Sequence, residues 1–283
     1  MPIRHATALP PWIDSMTREN PIADVARSPA EGCRIVVGSG KGGVGKSVVS
    51  VLLAATAAER GRGVLLLDGE QNLANLHVLL GLGARGSMES LLEGRGRPAD
   101  LVQPVTENLW LLPSDSGAEA LYALDSVARA RLHGRLVELY RQYEVVVVDA
   151  GSGIEGVVRA ATLGASRVVV VTAPEPTALM DAHALIKILT LQAPHIRVDV
   201  LVNRCMNDEE GRTAYGKLAD ASERFLNRRL LLAGVILEEP PIAAAVREPR
   251  RCLARLLTTR AAQTIREAGL DSVDPTAPSR SSA

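Results

Sequence analysis

Aromatic side chains are nearly absent from this 283-residue chain: two Trp, four Tyr and one Phe amount to 2% of it. Its core must therefore be aliphatic, drawn from the Ala, Val and Leu that dominate the 47% hydrophobic fraction. Cysteine is scarce as well. Cys33, Cys205 and Cys252 are odd in number and far apart, which excludes CxxC pairs and argues against a secreted disulfide framework. A reducing cytoplasm is the expected compartment. Net charge is lacking too, with 32 basic against 32 acidic residues, so binding to nucleic acid or membrane would need a local patch. No apolar run approaches the roughly eighteen residues of a membrane span, and prolines and charges interrupt the N-terminal stretch PPWIDSMTREN. His5, His77, His133, His183 and His195 show no metal-ligand spacing, so no structural zinc is expected.

The length falls between one large α/β domain and two small ones. Residues 1–31 carry little periodicity and a Pro-Pro pair, and read as a flexible N-terminal arm. In this arm Trp12, Ile13 and Met16 form an apolar cluster. Residues 271–283 are polar with two prolines and read as a disordered tail. Between them, over 32–270, short apolar runs alternate with amphipathic stretches. Strands are expected at RIVVGS, GVLLLD, NLWLLPS, EVVVVDAG, RVVVVTAP, VDVLVN and LLLAGVIL. Helices are expected around 47–60, 118–142, 155–163, 176–192, 208–226 and 252–268. Continuous apolar strands separated by helices predict an α/β fold: a mostly parallel, doubly wound sheet covered by helices on both faces.

Gly40 to Ser47 reads GKGGVGKS, which matches G-x-x-x-x-G-K-[ST] between an apolar run and a helical pattern. By average residue usage such a string arises by chance in roughly one chain in a hundred of this length. Glycines let backbone N–H groups curl around phosphates, and the helix N-terminus adds positive potential. Lys46 would reach the β and γ phosphates and Ser47 would ligate Mg²⁺, so ATP and Mg²⁺ are the expected ligands. The segment also contains Gly38-x-Gly40-x-x-Gly43 with Asp68 and Glu70 ending the next strand, a dinucleotide pattern. That alternative leaves Lys46-Ser47 unexplained. Asp149 ends the strand VVVV and Asp68 ends LLL, so both could complete the metal shell; either could instead cap the following helix. Asn203 ends VLVN, where its amide could read adenine or cap a turn.

These residues carry a resemblance. KGGVGKS, with Lys41 ahead of the Gly-Gly pair, resembles the deviant Walker A motif of the MinD/ParA family of ATPases. DGEQNLANLHVLLGL (68–82) is similar to the family's switch region, and DAGSGIE (149–155) to its Walker B and second switch. LVNR (201–204) and VILEEP (235–240) resemble its base-binding region, so the resemblance spans about residues 34–268. Within the family, PEPTALMDAHALIK and EEGRTAYGKL are similar to the FlhG/FleN branch of flagellar-number regulators.

The resemblance implies a P-loop NTPase sheet on which two subunits sandwich ATP-Mg²⁺, with Lys41 crossing to the partner's phosphates. It implies nucleotide contacts from Gly40, Lys41, Gly42, Gly43, Val44, Gly45, Lys46, Ser47, Val48, Asn203, Arg204, Glu238 and Pro240. Lys41, Lys46, Asp68 and Glu70 would act in hydrolysis, and Ser47, Asp68 and Asp149 at the metal. It also implies a homodimer formed on ATP and a flagellar or polar regulatory partner.

Two departures matter. The family's DxD appears here as Asp68-Gly69-Glu70, one methylene longer at the position that orients water, so hydrolysis is expected to be slow. The tail lacks the basic amphipathic helix of the family's membrane-associating members, so no stable membrane anchor is expected. Two other readings stay open. Arg247, Arg250, Arg251, Arg255, Arg260 and Arg266 could hold DNA as in a ParA-like partitioning ATPase. Alternatively, Glu70 could fail to place water and leave a non-hydrolysing, ATP-locked scaffold.

Overall fold

The computed structural model describes residues 32–69, 75–83, 87–94, 97–114, 126–162 and 164–271. By packing, the chain divides into Met1–Ala30 and Glu31–Ala283, and every described residue belongs to the second unit. The sequence expectations for the arm (1–31), for Glu70, for the start of the helix expected at 118–142 (118–125) and for the tail beyond Asp271 lie outside the described residues.

The chain enters through β1 (Cys33–Ser39) and α1 (Lys46–Glu59). It continues through β2 (Val64–Gly69), the short α2 (Leu76–Leu79) and α3 (Met88–Leu92), and a 3-10 turn at Pro98–Leu101. A hairpin of β3 (Gln103–Thr106) and β4 (Leu109–Leu112) follows, then α4 (Ser126–Tyr140), β5 (Val145–Ser152), α5 (Ile154–Thr162), β6 (Arg167–Thr172) and α6 (Pro176–Gln192). The last part comprises β7 (Arg197–Cys205), α7 (Asp208–Leu226), β8 (Leu231–Leu237), α8 (Pro240–Val246), α9 (Pro249–Leu256) and α10 (Arg260–Ala268).

The eight strands lie in the order β3-β4-β2-β5-β1-β6-β7-β8, and every neighbouring pair is parallel except β3 with β4. The expected mostly parallel, doubly wound sheet is thus observed. Period-two alternation explains why the strands read as unbroken apolar runs. Val64 and Leu66 of β2 pack with Val145 and Val147 of β5 in a cluster shared with α1, α9 and α10. Leu65, Leu67 and Val146, one residue out of phase, pack on the other face with Leu136, Leu139 and Tyr140 of α4. Both faces are covered, so polar alternation has nowhere to appear.

α1 is apolar nearly all round, and Val49, Val51, Leu52 and Leu53 are each at most 1% exposed. It lies between the sheet and α10, and each such side chain contributes about 1.5 to 3 kcal/mol of burial. That packing holds the first turn of α1 rigidly at the carboxyl edge of β1.

The short α2, α3 and α8 and the 3-10 turn were not expected from the sequence, and two further differences have a clear local cause. β3 was missed because QPVT is short and contains Pro104; it is an edge strand, where a residue without an N–H is tolerated. The single helix expected at 252–268 is two. Thr259 breaks it by capping α10, its hydroxyl accepting from the Ala262 N–H at 3.3 Å, while the Glu239 carboxylate accepts from Arg260 and Ala261 N–H.

Candidate functional site

Chain order sends β1 to β2 on one side and later connects β5 to β6 on the other, so the strand order reverses at β1. The crevice at the carboxyl ends of such strands is where open α/β sheets bind ligands. The loop leaving β1 there is Gly40–Gly45. Gly43 (φ 78°) and Gly45 (φ 90°) take the left-handed backbone that residues with a Cβ avoid. Gly45 is the N-cap of α1 and offers no side-chain acceptor, and no acid lies in the first turn. The first amides of a 14-residue helix are therefore left facing the loop's concavity, a ready anion cradle. Gly40 is fixed for another reason: a Cβ there would collide with the backbone carbonyl of Asp181 on α6.

The side chains gather around this cradle. Register places Asp68 of β2 opposite Asp149 of β5, two carboxylates at one edge, 0% and 1% exposed. Lys46, 7% exposed, donates from Nζ to Asp149 Oδ1 at 2.9 Å, and Ser50 Oγ donates to the same oxygen at 2.8 Å. Asp68 Oδ2 accepts the Leu76 N–H at 3.0 Å, which makes it a tether for the start of α2 as well as a candidate metal-shell acid. On the opposite wall Asn203 of β7 donates from Nδ2 to the Val44 carbonyl at 2.8 Å. Arg204, at φ 60°, reaches toward the Gly43 carbonyl at 3.5 Å and lies 3.7 Å from the Glu238 carboxylate. Pro240 opens α8, and Val48, in the first turn of α1, packs against the core. The structure thus gathers Gly40–Val48, Asp68, Asp149, Asn203, Arg204 and Glu238 around one edge of the sheet.

Lys41 is the exposed member. Its Nζ donates to Glu175 Oε2 and to Thr177 Oγ1, each at 3.1 Å, from a side chain 39% exposed. Glu175 and Thr177 were missed in the sequence, as was Asp181; their place beside the loop follows from β6 lying next to β1, which no local pattern encodes. Ser50 was missed although its signal was present, because it stands four residues after Lys46 on the same helix face. Burial pushes the Cys205 thiol, one residue beyond Arg204, up to about 11, with Glu210 and Asp208 adding to the effect.

Of the six arginines at 247–266, Arg255 pairs with Glu248 at 2.8 Å and Arg266 with Glu59 at 2.9 Å. Arg247, Arg250, Arg251 and Arg260 are exposed. All three cysteines are buried and unbridged. Among the described residues no helix is long and apolar enough to cross a membrane.

Sheet order and loop together define a P-loop nucleotide-binding fold. A family described as AAA domain matches residues 33–200. Antiactivator FleN of Pseudomonas aeruginosa is 36% identical over 216 residues, covering 76% of this chain and 77% of FleN. The flagellum site-determining protein YlxH of Helicobacter pylori is 30% identical over 223 residues, covering 78% of this chain and 75% of YlxH. Among solved structures, a chain of the MinC:MinD cell division protein complex of Aquifex aeolicus superposes with a TM-score of 0.68 at 27% identity, covering 84% of this chain and 93% of that one. The chain belongs to the MinD/ParA family of P-loop ATPases, with FleN and YlxH among its relatives.

Proposed function

We propose that this protein is a cytoplasmic ATP-driven dimerisation switch that regulates flagellar number or placement through a flagellar or polar partner protein. The observation that carries the reading is the uncapped, left-handed Gly43–Gly45 turn feeding α1, with Lys46 and two buried carboxylates converging on it. The similarity to FleN and YlxH supplies the flagellar part.

The reaction is ATP plus water to ADP plus phosphate. The loop and the first turn of α1 would take the phosphates on backbone N–H groups, and Lys46 would turn from Asp149 toward the β and γ oxygens. The residues fit a divalent cation: Ser47 at the helix start, with Asp68 and Asp149 side by side, is a hard-oxygen donor set of the kind Mg²⁺ takes. When bound, Mg²⁺ would neutralise charge on the phosphate oxygens. Asn203 and Arg204 wall the base side, with Glu238 and Pro240. Lys41 is held only by exposed partners and can leave them for a second subunit's phosphates, a movement that makes association depend on the γ-phosphate. Met180 (72% exposed) and Met206 (77%), next in the chain to Asp181 and near Arg204, supply apolar surface beside that face. Glu70 in place of the family's Asp would orient water less well, so turnover is slow.

The test is a single-turnover assay with labelled ATP-Mg²⁺ and excess protein, with mass measured by light scattering in parallel. Retention, slow phosphate release abolished in Lys46→Ala, and doubling of mass on ATP are expected. Retention without release identifies the ATP-locked scaffold, and a mass unchanged by ATP removes the switch. The exposed Arg247, Arg250, Arg251 and Arg260 support a second reading as a DNA-partitioning ATPase; ATP-dependent duplex binding that weakens steeply with salt would select it.

A further inference from the structure

The sheet has a second end, and it too is built around charge. Where β7 and β8 begin, the C-termini of α6 and α7 leave a cavity of about 400 Å³. Thr190, Arg197, Asn227, Arg228 and Arg229 are among its lining residues, with Leu231 at the start of β8. Parallel strands put this cavity at the opposite edge from Gly40–Ser47, so it is no part of the nucleotide site.

The charges there do not balance. Asp199, 1% exposed and two residues along β7 from the lining Arg197, is already shared, by Arg197 at 3.0 Å and Arg167 at 3.2 Å. Arg228 is half-buried, and its guanidinium donates to neutral acceptors, the Thr190 hydroxyl at 3.2 Å and the Ile196 carbonyl. No acid pairs with it among the described residues, and burial lowers its pKa with no opposing charge to restore it. Its backbone is locked as well. The left-handed Asn227 (φ 49°) ends α7, and Ser222 Oγ donates to the Arg228 carbonyl at 3.0 Å. Arg229 beside it is exposed. Three of the lining residues, Arg197, Arg228 and Arg229, are thus cationic, and none of the lining residues is acidic. Buried charges are ordinarily paired, because desolvating an unpaired ion costs several kcal/mol or so. A half-buried arginine aimed into a cavity without a counter-ion marks a place where the counter-ion comes from outside.

We propose that this cavity docks an acidic segment of a partner protein, an extended stretch whose Asp or Glu carboxylate bridges Arg228 and Arg229. Guanidinium forks take carboxylates in a bidentate manner, which supplies the recognition. The surroundings argue for a peptide over a free anion. Phe225 (68% exposed, stacked under the Arg224 guanidinium at 5.4 Å) and Leu191 (54% exposed) lie within two residues of lining positions, and an inorganic ion would leave both uncovered. A partner held there leaves the P-loop face open, so docking and nucleotide-driven association can coexist. The inference does not depend on what the P-loop does.

The test uses the full-length protein and fluorescent peptides carrying several Glu or Asp around one Leu, against the same peptides with Gln and Asn. The expected result is saturable, salt-sensitive binding of the acidic set only, weakened at least roughly tenfold by Arg229→Glu and several-fold by Phe225→Ala. Hydrogen-exchange protection should map to 190–198 and 227–231. Arg228→Gln should act like Arg229→Glu; because Arg228 also ties down Ile196, the exposed Arg229 variant decides should Arg228→Gln fail to fold. Nucleotide retention should be unchanged in Arg229→Glu. Absence of acidic-peptide binding, or binding indifferent to Arg229→Glu, overturns the proposal. So does competition by inorganic phosphate combined with indifference to Phe225→Ala, which would define a small-anion site instead.

Discussion

Lys46 and Asp149 form the pair on which the site is assembled, and its energetic role can be measured without nucleotide. The ions lie 2.9 Å apart, 7% and 1% exposed. At an effective dielectric near 20 their attraction is about 5 to 6 kcal/mol, most of it offset by desolvation, so the pair adds little net stability. Breaking it is different. Lys46→Met keeps the buried stem and removes the ammonium, leaving the buried Asp149 carboxylate with the Ser50 hydroxyl donating to it at 2.8 Å but no cation beside it. The expected loss is about 3 to 5 kcal/mol. Adding Asp149→Asn removes the stranded charge, and the double variant should recover most of it, ending about 1 to 2 kcal/mol below wild type. Urea unfolding followed by circular dichroism, with m-values compared across the four proteins, reads the cycle. A loss under about 1 kcal/mol in Lys46→Met, or strictly additive single effects, would refute the reasoning and show that the pair is solvated in solution.

Two further outcomes follow from the geometry. Gly40→Ala forces a Cβ into the Asp181 carbonyl and should cost about 1 to 3 kcal/mol while weakening nucleotide binding at least roughly tenfold, whereas Gly42→Ala, with open space around it, should leave the melting temperature nearly unchanged; thermal melts and a fluorescent-nucleotide titration check both. The Cys205 thiol, raised from 9.0 to about 11 chiefly by burial, favours the native state fully below pH 9, and that contribution is lost as pH rises through about 11. Between pH 8 and 11 the wild type should therefore lose roughly 2 kcal/mol more than Cys205→Ala in urea titrations; equal losses would mean the thiol is accessible.

The phosphate loop was legible because it is local. Gly40–Ser47 encodes its turn in glycines, its position in the apolar run before it and its chemistry in Lys46 and Ser47, all within one βα unit. The strands and their parallel arrangement were legible for a related reason, since burial on both faces writes an unbroken apolar run into each segment. Asp68 and Asp149 were read as strand-end acids, yet that they are direct cross-strand neighbours depends on β5 inserting between β1 and β2.

The tertiary structure alone decided the rest. Lys41 meets Glu175 and Thr177 across more than 130 positions because β6 flanks β1. Among the described residues no carboxylate pairs with Arg228, because two helix ends and two strand starts converge there and Asp199, which sequence order places well before it, is already shared by Arg167 and Arg197. Sequence fixes propensity, periodicity and motif over a few turns. Which charges end up facing each other, and which one is left without a partner, is set by crossovers that join distant segments, and no local pattern carries that information.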